Sequence, residues 1–246
     1  MKIKSTASLF LCLLLTLLCS CSSGGEGEGT SVMKTLAPEG SIETLQKPSD
    51  PEIISDLAER ALMDIEEYSS IREYPVEYVM VHFCSEVVNS KKDPFNAENI
   101  KKTFEKNGVS INYIILRDGT VQCWIPEQCV AWHAGKGVWL DDEKYENKMN
   151  KYSIGIELTA IGSKKDMSQY LTSAEYNSLP KSYIGYTDEQ YQSLAALIND
   201  ICERWSIPID REHIIGHSEY SSLKADPGEH FDWERVMSDL QKQQNS

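Results

Sequence analysis

Tyr78-Val79-Met80-Val81-His82-Phe83 is apolar at every position until it reaches a histidine. A half-exposed strand alternates apolar and polar residues, whereas an unbroken apolar run reads as a strand buried on both faces. Its one polar residue falls near the end. C-terminal to it, residues 96–107 read as a helix, opened by the capping residue Asn96 and closed by Gly108. Residues 112–117 and 120–125 flank Asp118-Gly119, a favoured hairpin turn. Residues 153–158 read as another strand, with Ile154, Ile156 and Leu158 on one face and Ser153, Gly155 and Glu157 on the other. Thr187 and Gln190 form a capping box opening a long helix with the stripe Tyr191, Leu194, Ile198, Ile201 and Trp205. Ile214-Ile215-Gly216-His217 reads as a short last strand and residues 231–243 as a terminal helix. These elements predict the α/β class: a mixed central β-sheet flanked by helices, in a single domain with its chemistry at strand ends.

The N-terminal side reads differently. Lys2 and Lys4 precede the apolar run of residues 9–18, which is too short to span a bilayer and reads as a secretory signal over residues 1–20. Leu18-Cys19-Ser20-Cys21 resembles the lipobox of bacterial lipoproteins, and that resemblance implies lipidation of Cys21. The expected location is therefore outside the cytoplasm, lipid-anchored to the cell envelope, with the membrane as a partner. Residues 21–50 read as a flexible acidic tether, beginning Cys21-Ser22-Ser23-Gly24-Gly25-Glu26. Residues 51–246 are the expected folded domain. Its first segment shows helix-like spacing at Ile54, Leu57, Ala61, Leu62 and Ile65.

Composition narrows the partners. The 246 residues carry a net charge of −14, which becomes −16 once Lys2 and Lys4 leave with the signal. A sequence pI of about 4.8 with scattered Lys and Arg argues against nucleic acid. A mean hydropathy of −0.40 excludes a multi-span membrane protein. A monomer is expected. Of the seven cysteines, Cys84, Cys123, Cys129 and Cys202 fall in the folded domain. Their spacing matches no CxxC pair and selects none of the three full pairings.

The stretch Gly216-His217-Ser218-Glu219-Tyr220-Ser221-Ser222-Leu223-Lys224-Ala225-Asp226-Pro227-Gly228 carries the most chemistry. If residues 224–226 are extended, Lys224 and Asp226 project together toward whatever His217 faces. With Val81-His82, residues 112–121, Ala131-Trp132-His133-Ala134-Gly135, Ser153-Ile154-Gly155-Ile156-Glu157-Leu158 and Phe231-Asp232-Trp233, it forms a series of short motifs. In that order and spacing, over roughly residues 76–235, the chain resembles the zinc N-acetylmuramoyl-L-alanine amidases of the type-2 amidase superfamily. That superfamily also holds peptidoglycan-recognition proteins.

The resemblance implies that His82, His217 and Asp226 bind Zn²⁺. Two imidazoles and a carboxylate suit that ion and leave a fourth position open. It implies that Glu157 handles the proton of the attacking water and that Lys224 stabilises the oxyanion. Trp132 and His133 are then expected in the substrate groove rather than on the metal. Tyr113 is expected in the core, and His213 and His230 carry no motif. Cys84 stands where the family commonly has a hydroxyl residue and is expected to pack. Residues 160–186 exceed minimal relatives in length, as a lid, a substrate-selecting insertion or an ordinary solvated loop.

The implied activity is hydrolysis of the amide between the lactyl group of N-acetylmuramic acid and L-alanine, with peptidoglycan or a muropeptide as substrate. Two alternatives stand beside it: a peptidoglycan-binding module that cuts nothing, and a zinc peptidase acting within the stem peptide. The products discriminate all three.

Overall fold

The capping and turn signals act where the sequence puts them. A computed structural model of the protein describes residues 52–244. In it Asn96 accepts the Asn99 N–H to open a helix, and Gly108 closes that helix in the left-handed region at φ 63°. Gly119 turns the hairpin at φ 85°, and Thr187 and Gln190 complete their capping box. The signal of residues 1–20, the lipid site Cys21 and the tether of residues 21–50 lie outside the described residues.

In chain order the strands are β1 (Glu59–Arg60), β2 (Ser69–Ile71), β3 (Tyr78–Cys84), β4 (Tyr113–Ile115), β5 (Val121–Cys123), β6 (Cys129–Ala131), β7 (Ser153–Thr159) and β8 (Ile214–Gly216). The helices are α1 (Ile65–Tyr68), α2 (Ala97–Asn107), α3 (Ser173–Asn177), α4 (Asp188–Trp205), α5 (His217–Tyr220) and α6 (Trp233–Gln244). One sheet runs β1-β5-β4-β7-β3-β8, and β2 and β6 form a separate pair. Strands β4, β7, β3 and β8 are parallel, while β5 returns antiparallel on β4. The sheet is mixed, as the sequence predicts.

A parallel sheet must be covered on both faces. On one side Val79, Val81, Ile154, Ile156 and Leu158 pack with Leu194, Ile198 and Ile201 of α4 and with Val236 and Leu240 of α6. Each such side chain, fully buried, contributes about 1.5–3 kcal/mol. The opposite side is divided. Ile114 packs with Ile100 and Phe104 of α2, and Met80 packs with Tyr145, Met149 and Tyr152. The strand register puts His82 and Glu157 on this divided side, level with Ile114.

The spacing of residues 54–65 does not produce a helix over that span. Only Ile65–Tyr68 is helical, and Glu59–Arg60 is a strand beside β5. The backbone continues along the same edge, where the Ala61 and Met63 N–H groups donate to the carbonyls of Cys123 and Trp124. Leu62 packs into the core beneath α4, whereas Ala61 and Met63 pack into the one beneath α2. The apolar residues therefore serve two faces of a sheet edge, and their helix-like spacing is a by-product.

Cys84, Cys123, Cys129 and Cys202 are all buried, and none of the four is in a disulfide. Residues 160–186 pack as an ordered layer rather than a loose loop. Ile161, Met167 and Leu171 form a core of their own with Val87, flanked by Phe83 and Tyr170. Among the described residues no helix is long and apolar enough to cross a membrane.

Candidate functional site

Side chains alternate along a strand, so His82 shares a face of β3 with Met80 and Cys84. In the parallel register His82 stands opposite Glu157 of β7, and Val81 stands opposite Gly216, the last residue of β8. His217 follows at once and opens α5. Both histidines thus emerge at the carboxyl ends of neighbouring parallel strands, where open α/β sheets bind ligands. The chain then returns through residues 221–228, and the Ser218 N–H donates to the Asp226 carbonyl at 2.8 Å.

That return closes a triangle. Asp226 Oδ2 lies 2.9 Å from Nδ1 of both His82 and His217, and the two Nδ1 atoms lie 2.9 Å from each other. All three side chains are buried. His217 Nε2 donates to the Ala134 carbonyl at 2.9 Å, which leaves Nδ1 as the ring nitrogen facing Asp226 and His82. Burial, with His217 adding to it, lowers the pKa of His82 to about 4, so that ring is neutral at neutral pH. Burial resists ionisation of Asp226, but His217 and His82 outweigh it and hold the carboxyl well below the usual range. Two imidazole nitrogens and one carboxylate oxygen therefore converge, close enough for one ion to reach all three at about 2.0–2.2 Å. Among the described residues this is the one His, Cys, Asp and Glu cluster with metal-binding geometry.

Glu157 and Lys224 line the same cleft, with Trp132, His133 and the triangle itself. The Glu157 side chain is buried, and its Oε2 has no hydrogen-bond partner. Burial first, and then the nearby Asp226 carboxylate, push its carboxyl well above the usual range, against a hydrogen bond from Cys84. A buried carboxylate oxygen without a donor is costly unless something else meets it. Cys84 also packs against the apolar side of the cleft, as expected.

The structure assembles residues that no motif names. Phe104 and Val109 form one wall of the cleft, and Asp166, Met167 and Tyr170 of the 160–186 layer form part of another. The length of that layer was its only sequence signal. Asp166 also ties it to the loop carrying Asp226, since its Oδ2 accepts the Ser163 N–H at 2.8 Å and the Glu229 N–H at 3.2 Å. Tyr113 is fully buried, and its hydroxyl donates to Glu127 at 2.5 Å. His213 bonds Asp210 and stacks on Tyr78, while His230 is exposed. His133 lies against His82: its Nδ1 is 3.0 Å from His82 Nε2, and its Nε2 is 3.3 Å from Ser153 Oγ.

With this geometry in place, comparison with known proteins is direct. The sequence profile of the N-acetylmuramoyl-L-alanine amidase family matches residues 72–229, more than half of the chain. The 1,6-anhydro-N-acetylmuramyl-L-alanine amidase AmpD of Citrobacter freundii is 33% identical over 128 residues, 52% of this chain and 54% of that protein. AmpD of Haemophilus influenzae is 34% identical over 133 residues, 54% of this chain and 59% of that protein. The chain spans about half the length of the curated relatives it matches. Among solved structures, the Se-Met derivative of AmpD aligns with a TM-score of 0.55 at 24% identity, covering 77% of this chain and 98% of that one. AmpDh3 of Pseudomonas aeruginosa, solved in complex with anhydromuramic pentapeptide, aligns with a TM-score of 0.50 at 21% identity, covering 72% and 65%. Those alignments show a shared fold, the mixed central sheet with flanking helices.

Proposed function

The chain belongs to the N-acetylmuramoyl-L-alanine amidase family, and from that premise we propose that it hydrolyses the amide between the lactyl group of N-acetylmuramic acid and L-alanine. The substrate is a peptidoglycan stem peptide still joined to its sugar. One observation carries this reading. The converging His82, His217 and Asp226 donors share a cleft with a buried carboxylate, Glu157, that has an unpartnered oxygen. The names of the relatives, and the anhydromuramic pentapeptide bound by AmpDh3, support the substrate class.

Zn²⁺ fits the donor set and would be held by His82 Nδ1, His217 Nδ1 and Asp226 Oδ2. When bound there it supplies a Lewis acid that polarises a carbonyl and acidifies water. The remaining steps belong to the side chains. Glu157 accepts a proton from the attacking water and returns it to the leaving amine of L-alanine, a role suited to a carboxyl that burial and Asp226 make more basic than usual. The Lys224 ammonium stabilises the oxyanion that develops on the attacked carbonyl. Trp132 offers an aromatic face to sugar or peptide.

Digestion of purified muropeptide, followed by mass spectrometry, tests the reaction. The expected products are an intact saccharide and a free stem peptide beginning with L-alanine. Cleavage after L-alanine would make the protein a peptidase, and no release at all would leave a binding module.

The lipobox-like sequence before Cys21 supports export and lipid anchoring. Wild-type protein is expected in the detergent phase of a bacterial host, and Cys21→Ser in the aqueous phase. Equal partitioning of the two would remove the anchor.

A further inference from the structure

We infer that His133 is a positioning residue that sets the tautomer of His82, through a one-way chain of hydrogen bonds ending on a backbone carbonyl. The chain is read from its far end. The Met149 carbonyl can only accept, and Ser153 Oγ lies 2.7 Å from it, so the single hydroxyl proton of Ser153 points there. Ser153 Oγ must then accept from His133 Nε2 at 3.3 Å. A neutral His133 with its proton on Nε2 has a bare Nδ1. That Nδ1 lies 3.0 Å from His82 Nε2 and accepts from it. His82 therefore carries its proton on Nε2, and its Nδ1 faces Asp226 and His217 as a bare donor atom. One carbonyl fixes the direction of every link.

His217 receives the same treatment in one step, from the Ala134 carbonyl. The two devices sit on adjacent residues. The His133 and Ala134 N–H groups both donate to Asn150 Oδ1, at 3.0 and 2.7 Å. Asn150 belongs to the same turn, Met149–Lys151, that supplies the terminal carbonyl. Arg72 Nη2 donates to the Ser153 carbonyl at 3.1 Å and pins the start of β7. Gly155 makes room for the ring, because a Cβ there would lie 2.7 Å from His133 Cγ.

A metal-bound histidine ordinarily donates its second N–H to a carboxylate, a backbone carbonyl or water. Here a neutral imidazole accepts it, which orients His82 without adding negative charge. With both ring nitrogens so engaged, His133 acts through His82. The inference rests on the metal-site reading above, and its test is read without turnover, so failure of one is distinguishable from failure of the other.

Long-range ¹H–¹⁵N spectra of the full chain, with and without Zn²⁺, report each imidazole tautomer, and chelator competition reports Zn²⁺ affinity. Wild-type His82 is expected as the Nε2–H form. His133→Phe keeps a ring but offers no acceptor; it is expected to mix the His82 tautomers and weaken Zn²⁺ binding about 10–100-fold. His133→Asn, whose Oδ1 falls near the position of Nδ1, is expected to restore both. An Nδ1–H form in the wild type overturns the inference. So does a His133→Phe protein with unchanged tautomer and Zn²⁺ affinity. If that variant does not fold, Ser153→Ala gives the second reading: mixed His82 tautomers support the chain of bonds, and an unchanged tautomer refutes it.

Discussion

Glu157→Gln is expected to lower turnover of muropeptide by about 10²–10⁴-fold while leaving the Zn²⁺ content unchanged. Glutamine keeps the size of the side chain and removes its ability to accept a proton. The substitution is one strand away from the ion site: Glu157 stands opposite His82 in the register but is not one of the three converging donors. Rate and metal content should therefore separate. Burial and Asp226 raise the Glu157 carboxyl, so wild-type activity should fall as pH drops through that raised value, where the group becomes protonated. That acid limb should vanish in the variant. Stability runs the other way. A carboxyl with a folded-state pKa above its unfolded value destabilises the fold once pH rises past the unfolded value. The glutamine variant should thus melt at the same temperature as the wild type or higher. Rates within about three-fold of wild type, on a scale where general catalysis contributes about 10²-fold or more, would remove Glu157 from the reaction.

Stripping the metal with a chelator is expected to abolish product release and to lower the melting temperature. The Asp226 carboxylate and two imidazoles are buried with their donor atoms 2.9 Å apart, an arrangement that an ion satisfies and its loss leaves uncompensated. An ion at a thousand times its dissociation constant stabilises the fold by about 4 kcal/mol. For a domain of this size that corresponds to roughly 10 °C. Zn²⁺ should restore both properties, whereas Mg²⁺ should not, because it prefers oxygen ligands in octahedral geometry. Full activity in protein shown by elemental analysis to be metal-free would end the metal reading.

Several parts of the fold were legible because their signals are local. Asn96 and Thr187 cap helices through N–H groups three residues away, and Gly119 supplies a backbone angle that other residues resist. The strand at residues 78–84 announces burial on both faces through its composition. The segment at residues 54–65 misled for the opposite reason. Its apolar residues are shared between two cores, and a one-dimensional pattern does not record which core a residue joins.

The candidate site divides along the same line. His82, His217, Asp226, Glu157 and Lys224 were each identifiable from their motifs, since family resemblance preserves residue type and order. His133 was expected on the substrate side; it lines the cleft, and what no motif records is that its two ring nitrogens meet His82 and Ser153. Asp166, Met167 and Tyr170 could not be assigned to the cleft from any motif, because what brings them there is the packing of the 160–186 layer onto Phe83 and the Asp226 loop.

The sequence by itself determined the α/β class, the caps, the hairpin turn and the chemical types available for a metal site. Each follows from interactions within a few residues or from composition. The tertiary structure alone decided that His82 and His217, 135 positions apart, present Nδ1 rather than Nε2 to the same point. Strand order and parallel register bring the rings together, and a carbonyl from one distant loop, with a histidine beside it, orients them.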